Sequence, residues 1–457
     1  MNRFVAPLAG VVIAGLAVGA GILVPGQALP VETAGASRTR VSIVCPTVSS
    51  ATAKVSVAAV TADQALRTAK LSEPQRSTEA EGLTVLSNPT EPIRVSASRS
   101  SVFGAATWIA AAEGSARGLS GVSCTSPQAD HWFAGVDVSA DAQSSLIVVN
   151  LDSTEAVVDL TAYGPKGRLP ASRGLRVPGN SAATISLQVI ARNADPITVR
   201  VTTSQGRVAA FVRQFDWIDQ SVVGADWVPD ASAAGTDLVL SGLAAGKGPR
   251  RLVVTNPGDL NASVAVDVLT ADGTSQLAGL DAVQVPPQTT RSFDLSDGLG
   301  GQAAGLHLTA NQDVIAGVVG DNGEPAAGSD AVIAGVTTAL PPDGVWPIAA
   351  GKSATSTLQL VNPGDQDATA TVTTNTGSGT GSPTTVDVIV RAGSLAAVDL
   401  PKASSGSVHI QTASTVMRAS VVVARKLGKV DGVTVLDLVA DETRTRAVQV
   451  VHDPHLG

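Results

Sequence analysis

Residues Leu252–Asp259 read LVVTNPGD, and a close copy, LQLVNPGD, covers Leu358–Asp365. A weaker copy, LIVVNLDS, covers Leu146–Ser153, so that the asparagines of these three stretches lie 106 residues apart. A fourth and fainter copy, VSIVCPTV, covers Val41–Val48, 105 residues before the weaker one. A period of this length is too long for one turn of a solenoid and matches a whole small β domain. The chain is therefore predicted to consist of tandem domains.

Each copy is followed by a segment in which apolar and polar residues alternate. The segments are Ala156–Ala162, Ala262–Val268 and Ala368–Thr374, and in the first copy Ala53–Val57, where Ser56 is expected to face outward. Alternation with a period of two is typical of an antiparallel strand with one buried face and one wetter face. A slip of one residue would turn the apolar residues outward, so the agreement between copies predicts a common register.

Further short apolar runs separated by Gly, Pro, Asn and Asp bring each repeat to several strands in about 100 residues. This pattern predicts an all-β fold of tandem β-sandwich modules, immunoglobulin-like or fibronectin-like, after one N-terminal transmembrane or signal helix. β-Barrels are the alternative. The more polar stretch 61–82 is predicted to be a short helix or a loop.

The repeated turn has its own chemistry. Pro in the second position and Gly in the third, as in Asn256–Asp259 and Asn362–Asp365, suit a type II turn, because Pro fixes φ and Gly accepts a positive φ. We expect the turn to close a hairpin or to connect two strands that cross.

The repeat also predicts domain boundaries. Trp132, Trp227 and Trp346 are expected to mark the starts of the second, third and fourth copies, with an insertion at 234–249 in the third. The predicted organisation is a membrane anchor or signal segment at 1–30, a divergent first β module with a disulfide at 31–130, a second module at 131–225, a third at 226–343, and a fourth with the C-terminal tail at 344–457.

The N-terminus carries a membrane signal. Phe4–Val24 is a run of 21 residues without charge, preceded by Arg3. This length favours an uncleaved transmembrane anchor. In contrast, Gly26–Ala28 resembles the small-residue site at which a signal peptide is cleaved. Both alternatives export the rest of the chain, because Arg3 keeps the N-terminus in the cytoplasm. The predicted location is the cell membrane, with a single span and an extracytoplasmic C-terminal region, or secretion if the segment is cleaved.

The two cysteines, Cys45 and Cys124, are predicted to form a disulfide, because an exported chain with an even number of cysteines is typically bonded. The alternative is two unpaired buried thiols. Metal binding needs more ligands than two distant cysteines supply.

Composition argues against several classes of function. The net charge of −8 and the lack of Lys or Arg runs argue against a nucleic-acid partner. With 3% aromatic residues the chain holds no evident aromatic sugar-binding platform, and its tryptophans are expected to plug sandwich ends or module junctions, with binding by one or two left open. No nucleophile elbow or phosphate-binding loop stands out.

The remaining candidates are histidines and turn aspartates. His307 and His409 hold matching strand positions and are expected on a solvated outer face. His452 and His455 lie in the last residues, where a metal-binding tail competes with a plain terminus. The loop aspartates (Asp152, Asp259, Asp365 and Asp367) are expected to form turns and not a calcium site.

The order Ala116–Leu119, Cys124, Trp132–Gly135 and then repeated Asn-Pro-Gly turns resembles a group of exported, uncharacterised actinobacterial proteins defined only as a domain of unknown function. The resemblance covers nearly the whole chain after the N-terminal segment. It implies a single N-terminal membrane segment and an all-β exterior part, and it transfers no catalytic residues. Asn150-Leu151 departs from the Asn-Pro pattern, which weakens a binding role for the turn.

Together these observations predict an exported, membrane-anchored, non-enzymatic protein of the cell envelope, which would act as a scaffold or binding module. Its expected partner is a wall polysaccharide or another envelope protein, with the membrane held through the N-terminal helix. No cofactor, metal or catalytic residue is predicted. The alternatives are an accessory subunit or enzyme of wall-polymer assembly, and a plain surface spacer.

Overall fold

The computed structural model describes residues 40–60, 66–170, 172–192, 194–218, 221–231, 233–323, 328–377 and 382–439. The predicted membrane segment Phe4–Val24 and the histidines His452 and His455 lie outside these residues. Within them, no helix is long and apolar enough to cross a membrane.

Consecutive strands fall into four groups, which we call units I to IV. The strands of unit I are β1 (Arg40–Cys45), β2 (Lys54–Ala59), β3 (Leu66–Lys70), β4 (Thr78–Ala80), β5 (Leu83–Ser87), β6 (Ile93–Ser98), β7 (Phe103–Ala111) and β8 (Gly118–Ser123).

The strands of unit II are β9 (Asp130–Val136), β10 (Ala142–Asn150), β11 (Ala156–Gly164), β12 (Gly167–Arg168), β13 (Ser172–Val177), β14 (Ser181–Ser186), β15 (Ile197–Gln205), β16 (Ala209–Ile218) and β17 (Ser221–Val228). A short 3-10 helix, Leu187–Val189, follows β14.

The strands of unit III are β18 (Gly235–Leu243), β19 (Arg250–Asn256), β20 (Ala262–Thr270), β21 (Gly273–Gln276), β22 (Val283–Val285), β23 (Thr289–Asp294), β24 (Ala304–Asp321) and β25 (Ala331–Gly335). One α-helical turn, α1 (Ser296–Leu299), follows β23.

The strands of unit IV are β26 (Asp343–Ile348), β27 (Thr355–Asn362), β28 (Ala368–Thr376), β29 (Thr384–Val390), β30 (Ser394–Asp399), β31 (Gly406–Thr412), β32 (Arg418–Leu427) and β33 (Val430–Asp437). The all-β prediction is confirmed.

Strand order is the same in the four units. Each has a first sheet that contains its first strand, with the orders β1-β6-β3-β4, β9-β15-β11-β12 and β26-β31-β28-β29 in units I, II and IV. Each also has a second sheet that ends in its last strand, with the orders β5-β2-β7-β8, β14-β10-β16-β17 and β30-β27-β32-β33. In unit III the long strand β24 takes part in both sheets, pairing first with β18 and β20 and then with β19 and β25.

The alternating segments lie where the pattern predicts. In β11 and β20 the predicted inward residues are buried and their neighbours are partly exposed. In β28 only Ala370 and Val372 are buried, because Ala368 and Thr374 lie nearer the strand ends. Since β11, β20 and β28 hold equivalent places in their first sheets, the common register of these three copies is that of one repeated strand.

The repeated asparagine is a hydrogen-bonded clip between the two sheets of its unit. The side chain of Asn256 is fully buried at the end of β19; its Nδ2 donates to Leu260 O (2.7 Å) and Val285 O (2.9 Å), and its Oδ1 accepts from the Gly258 N–H (3.0 Å). Asn150 and Asn362 make the equivalent bonds. The chain passes here from one sheet of the unit to the other, and some backbone groups at this point have no backbone partner. The asparagine amide, with two donors and an acceptor, supplies their hydrogen bonds.

Three details of the predicted repeat are wrong. Gly258 and Gly364 do not adopt a positive φ, so the turn is not of type II; the asparagine side chain replaces the backbone bond of such a turn. In the first copy, Cys45 is not equivalent to the repeated asparagine. It ends β1, which is equivalent to β9, the first strand of unit II, whereas Asn150 ends the next strand, β10. Ser56 is buried instead of exposed: its hydroxyl donates to Ala106 O and accepts from Trp108 Nε1 (3.0 Å).

Three local predictions also need correction. Trp227 lies in β17, which pairs with β16 at the end of unit II, and therefore does not begin the third copy. The expected insertion at 234–249 contains β18, the first strand of unit III. The described part of 61–82 contains the strands β3 and β4 instead of a helix, because pairing with β6 overrides the polar local sequence. The domain boundaries stay predictions, and β17 runs across the one drawn between 225 and 226.

The four units contact one another in a closed cycle. Their last strands meet: β8 contacts β17 and β33, and β25 contacts β17 and β33 as well. Outside this junction, β9 packs on β24, β18 on β32, and β26 on β7. The apolar cores cross the unit boundaries, since Trp108 and Leu119 of unit I are buried in the core of unit IV.

We expect Asn256→Ala to lower the free energy of unfolding by about 2–4 kcal/mol, because the buried Val285 carbonyl is left without this partner and the bonds to the Leu260 carbonyl and the Gly258 N–H are lost. The measurement is urea unfolding followed by circular dichroism. The matched control is Asn261→Ala, at an exposed asparagine in the same loop. Equal unfolding midpoints for the two variants would contradict the role given to the clip.

Candidate functional site

The junction of the four last strands holds charged side chains in the interior. Arg117, Arg213, Asp226, Asp330 and Asp437 are all buried there. Buried charges are rare unless they are paired or hydrogen-bonded, so this cluster is the first place to look for a functional site.

Asp330, just before β25, joins three units. Its Oδ2 accepts hydrogen bonds from the backbone N–H of Leu119 in unit I (2.8 Å) and of Val433 in unit IV (3.1 Å). Arg117 of unit I donates from Nη1 to Val223 O of unit II and to Ser329 O of unit III (3.3 Å). These side chains therefore pair with backbone groups of neighbouring last strands that have no ladder partner at the junction.

A second relay crosses the same junction. The Gly121 N–H of unit I donates to Thr434 Oγ1 of unit IV (3.0 Å), and the Thr434 hydroxyl donates to Asp226 Oδ1 of unit II (3.0 Å). Arg213 Nη1 donates to Ser120 Oγ (2.7 Å). The close packing here leaves no space for a side chain at Gly224, where a Cβ would lie 2.4 Å from Ala331 N.

Burial shifts the titration of these groups. It raises the pKa of Asp330 to about 8 and that of Asp437 to about 7, and it holds the pKa of Asp226 well above its usual range. Burial also lowers the pKa of Arg213 to about 10, against the opposing effect of Asp226. Burial therefore disfavours the charged form of each of these carboxyl groups, and the oxygens of Asp330 and Asp226 accept hydrogen bonds from backbone N–H and hydroxyl groups of neighbouring strands.

A small, partly open cavity of about 50 Å3 lies at the junction between units I, II and IV. Thr125, Trp227 and Asp437 line it, and within the described residues Thr125 Oγ1, Trp227 Nε1 and Asp437 Oδ2 have no hydrogen-bond partner. A cavity of this volume has room for water but not for a sugar or a nucleotide. Across the described part of the chain, no cluster of His, Cys, Asp and Glu is placed to hold a metal ion.

The predicted disulfide forms. Cys45 and Cys124 are bonded, with an S–S distance of 2.04 Å and Cα atoms 4.5 Å apart. The bond ties the end of β1 to the residue after β8, and beside it Val44 and Thr125 exchange two backbone hydrogen bonds (2.8 and 3.2 Å). It therefore anchors the last strand of unit I, which enters the central junction.

The histidines are paired structural groups. His131 is fully buried, with Nδ1 2.5 Å from Asp230 Oδ2 and Nε2 2.9 Å from Val208 O. Burial opposes its protonation, but Asp230 and the Val208 carbonyl outweigh burial and raise the pKa of His131. His307 and His409, expected on a solvated face, are mostly covered and pair with an aspartate on the neighbouring strand.

These two pairs belong to a repeated device. His307 lies 3.0 Å from Asp237, and His409 lies 2.5 Å from Asp343. In unit II the same diagonal place is taken by Arg200, which bonds Asp130 with both of its donor groups. In units II, III and IV a basic residue thus bonds to an aspartate on the first strand of its unit. The basic residue lies on the neighbouring strand of the first sheet, which is β15, β24 or β31.

The loop aspartates are separate from one another and serve their turns. Asp259 accepts from Gln288 Nε2 (2.7 Å), and Asp367 accepts from the Ala392 N–H (2.9 Å). Asp152 lies 3.4 Å from Arg207. These contacts agree with the prediction of turn-forming residues.

The sequence analysis missed the charged residues of the junction. The available signal was a lone charge beside or inside an apolar strand, as with Asp226 in β17 and Asp330 before β25. It was not sufficient, because nothing local shows that these strands meet in space.

A further acidic group lies between units II and III. Asp216 of β16 accepts a hydrogen bond from Gln214 Nε2 (3.0 Å). Burial, reinforced by the carboxylate of Asp137 and opposed by the Gln214 bond, raises the pKa of Asp216 to about 7. Nearby, Arg251 of unit III makes two bonds to Asp195 of unit II (2.7 and 3.3 Å).

One exposed surface stands apart from these buried groups. Phe215 and Trp217 lie two residues apart on β16, with ring centroids 6.3 Å apart and planes at 86°. Both are partly exposed, whereas the other four tryptophans, all in the described part of the chain, are buried. Gln143, which pairs with Phe215 on the neighbouring strand, is exposed beside them.

Comparison with known proteins identifies the family. A family model described as a family of unknown function, DUF5719, matches residues 88–401. The chain belongs to this family. The matched range includes units II and III, most of unit IV, and the part of unit I that holds Cys124 and the junction residue Arg117.

No curated protein shows significant sequence similarity to the chain. Among solved structures, it is similar to the structure of Thermotoga maritima 1070, at 15% identity over 22% of this chain and 92% of that one, with a TM-score of 0.19.

A Streptomyces avermitilis α-L-rhamnosidase complexed with L-rhamnose is similar at 9% identity, over 81% of this chain and 54% of that one, with a TM-score of 0.13. A tetra-tandem repeat from the extending region of a large adhesion protein is similar at 11% identity, over 86% and 97%, with a TM-score of 0.11. Scores this low carry no argument about function.

The raised pKa of Asp216 predicts a pH-dependent stability. A carboxyl whose folded pKa lies above its unfolded value stabilises the fold below the unfolded pKa, and this contribution is lost as the pH rises through about 7. We expect the free energy of unfolding of Asp216→Asn, relative to that of the wild type, to increase by on the order of 2–3 kcal/mol between pH 5 and pH 9. Urea unfolding at both pH values measures this.

The matched control is Asp272→Asn, at an exposed aspartate. It should follow the wild type at both pH values. A pH profile for Asp216→Asn that runs parallel to the wild type would show that this carboxyl does not titrate in the predicted range.

Proposed function

We propose that this protein is an exported, membrane-anchored and non-enzymatic component of the cell envelope, which acts as a scaffold or as a binding module for a wall polymer or another envelope protein. The observation that carries the proposal is the Cys45–Cys124 bond inside the fold. Structural disulfides persist in oxidising compartments and are rare in the cytosol. The uncharged segment Phe4–Val24 supports the same compartment.

The use of the buried polar groups supports a scaffold. Asp330, Arg117 and His131 are each bonded to backbone or carboxylate groups of another strand, which leaves them no free position toward a substrate. Catalysis requires convergent groups in an accessible cleft. The cavity at the junction, at about 50 Å3, is too small to serve as one.

We further infer that the four units are immunoglobulin-like or fibronectin-like sandwich modules repeated in tandem. Their shared strand order and the recurrence of the asparagine clip in units II to IV support this inference. A tandem of rigid modules suits a protein that holds partners at a fixed separation outside the membrane.

We expect the full-length chain, expressed with a C-terminal tag in its own host, to be recovered in the envelope fraction with Cys45 and Cys124 oxidised. Thiol labelling before and after reduction, read by mass spectrometry, measures the bond. The mature N-terminus from the same sample distinguishes an anchor from a cleaved segment.

A reduced chain in the cytosolic fraction would overturn the proposal. Cys45→Ser with Cys124→Ser is the informative variant, because its loss from the envelope, with recovery of the Ser101→Ala control, would tie export to the folded, bonded state. Capture of wall polymer or of one envelope protein from solubilised membranes would then favour the binding role over a plain spacer.

A further inference from the structure

The second sheet of unit II has one face that is half covered and half open. On this face Ile147 and Val149 of β10 and Phe211 of β16 are buried against Val44 and Ile109 of unit I. Side chains two residues apart on a strand share a face, so this same face continues along both strands beyond the cover of unit I.

The open half presents a pair of aromatic rings and neutral polar groups. On β10 it continues to Ser145 and the exposed Gln143, and on β16 to Phe215 and Trp217. On the edge strand β14 it continues to the exposed Thr184, which lies opposite Ile147. We call this surface the unit II platform; its members are Gln143, Ser145, Thr184, Ser186, Phe215 and Trp217.

Three features of the platform point to one kind of ligand. It is continuous across three strands, because β14, β10 and β16 pair without a register shift. Its six side chains carry no charge, and the nearest cation on the same face, Arg213, is buried under the junction and bonded to Ser120. Its hydroxyl and amide groups both donate and accept hydrogen bonds, which matches the hydroxyls of a sugar.

The aromatic pair is informative because aromatic residues are so scarce. They make up 3% of the chain, and nearly all the large ones are buried in cores. Trp217 is instead partly exposed beside Phe215, where it fills no core. An exposed aromatic ring with an apolar face and neighbouring polar groups is a recognition feature rather than a packing feature.

We propose that the unit II platform binds a neutral polysaccharide, with one sugar ring stacked on Trp217 and the hydroxyls of successive sugar units along the polymer bonded to Gln143, Ser145 and Thr184. This deepens the binding role proposed above and rests on it. An anionic polymer is disfavoured, because the platform offers no cation and the exposed Asp141, whose carbonyl accepts the Trp217 N–H (2.7 Å), adds a negative charge at its border. A protein partner of the usual kind would bury a larger and more apolar surface.

The test measures binding of the full chain to soluble β-glucan, mannan and galactan by affinity electrophoresis, with polygalacturonate as the anionic comparator. We expect retardation by at least one neutral polymer, unchanged by 0.5 M NaCl, and a loss of affinity on the order of tenfold or more in Trp217→Ala. The matched control is Val189→Ala, which removes an apolar side chain that is 71% exposed in the same unit.

Gln143→Ala guards against a folding artefact, because an exposed polar side chain is removed from the platform without any change in a core. It should lower affinity several-fold while its thermal midpoint stays at that of the wild type. Quenching of tryptophan fluorescence by the polymer should vanish in Trp217→Phe, since the other tryptophans are buried.

Two results would overturn the inference: no neutral polymer binds, or only polygalacturonate binds and salt abolishes it. Neither result bears on export, because the envelope fractionation reads a different property. Conversely, Trp217→Ala should still reach the envelope with its disulfide formed. Glycan binding that survives in Trp217→Ala and Gln143→Ala would place the ligand elsewhere and would equally overturn the assignment of this surface.

Discussion

The closure of the four units depends on buried side chains that hydrogen-bond to the backbone of strands they do not belong to. Asp330 is the clearest case, since one carboxyl oxygen holds N–H groups of β8 and β33. The last strand of each unit is an edge strand, and an edge carries unpaired backbone groups that must be covered or paired. The junction pairs them internally, so the four most exposed edges of the repeat become its centre.

Burying polar side chains at the junction costs free energy of folding, and in return it favours one arrangement of the four units. Burying Asp226, Asp330 and Asp437 raises their pKa values and gives up hydration that a surface position would keep. Apolar residues would pack as well but would leave the backbone groups of the meeting strands without partners. The polar junction therefore favours one way of closing the cycle over other ways of packing similar sheets.

The local elements of the fold were largely predictable from the sequence, whereas their assembly was not. Alternation in Ala156–Ala162 and Ala262–Val268 indicates the strands, since a half-buried strand imposes a period of two. The faint copy at Cys45 misled, because an apolar run before a proline turn resembles any strand end. Trp227 was misplaced, because burial at a junction and burial at a module start look alike in sequence. Asp330 was missed, because its partners lie on strands distant in the sequence. Trp217 was not singled out, because exposure cannot be told from burial for one tryptophan among five in the sequence alone.

The closure of the four units also buries one part of the second sheet of unit II and leaves another part of the same face exposed. Where unit I covers the second sheet of unit II, the face is wholly apolar, with Ile147, Val149 and Phe211 buried. Where the cover ends, residues on the same face change to Gln143, Phe215 and Trp217. A face that were merely solvated would need no aromatic rings, and a face that were simply core would need no glutamine. The change of character at the border of the covered area therefore supports the proposal that unit II binds at its outer end, which the contacts among the four units would hold in position.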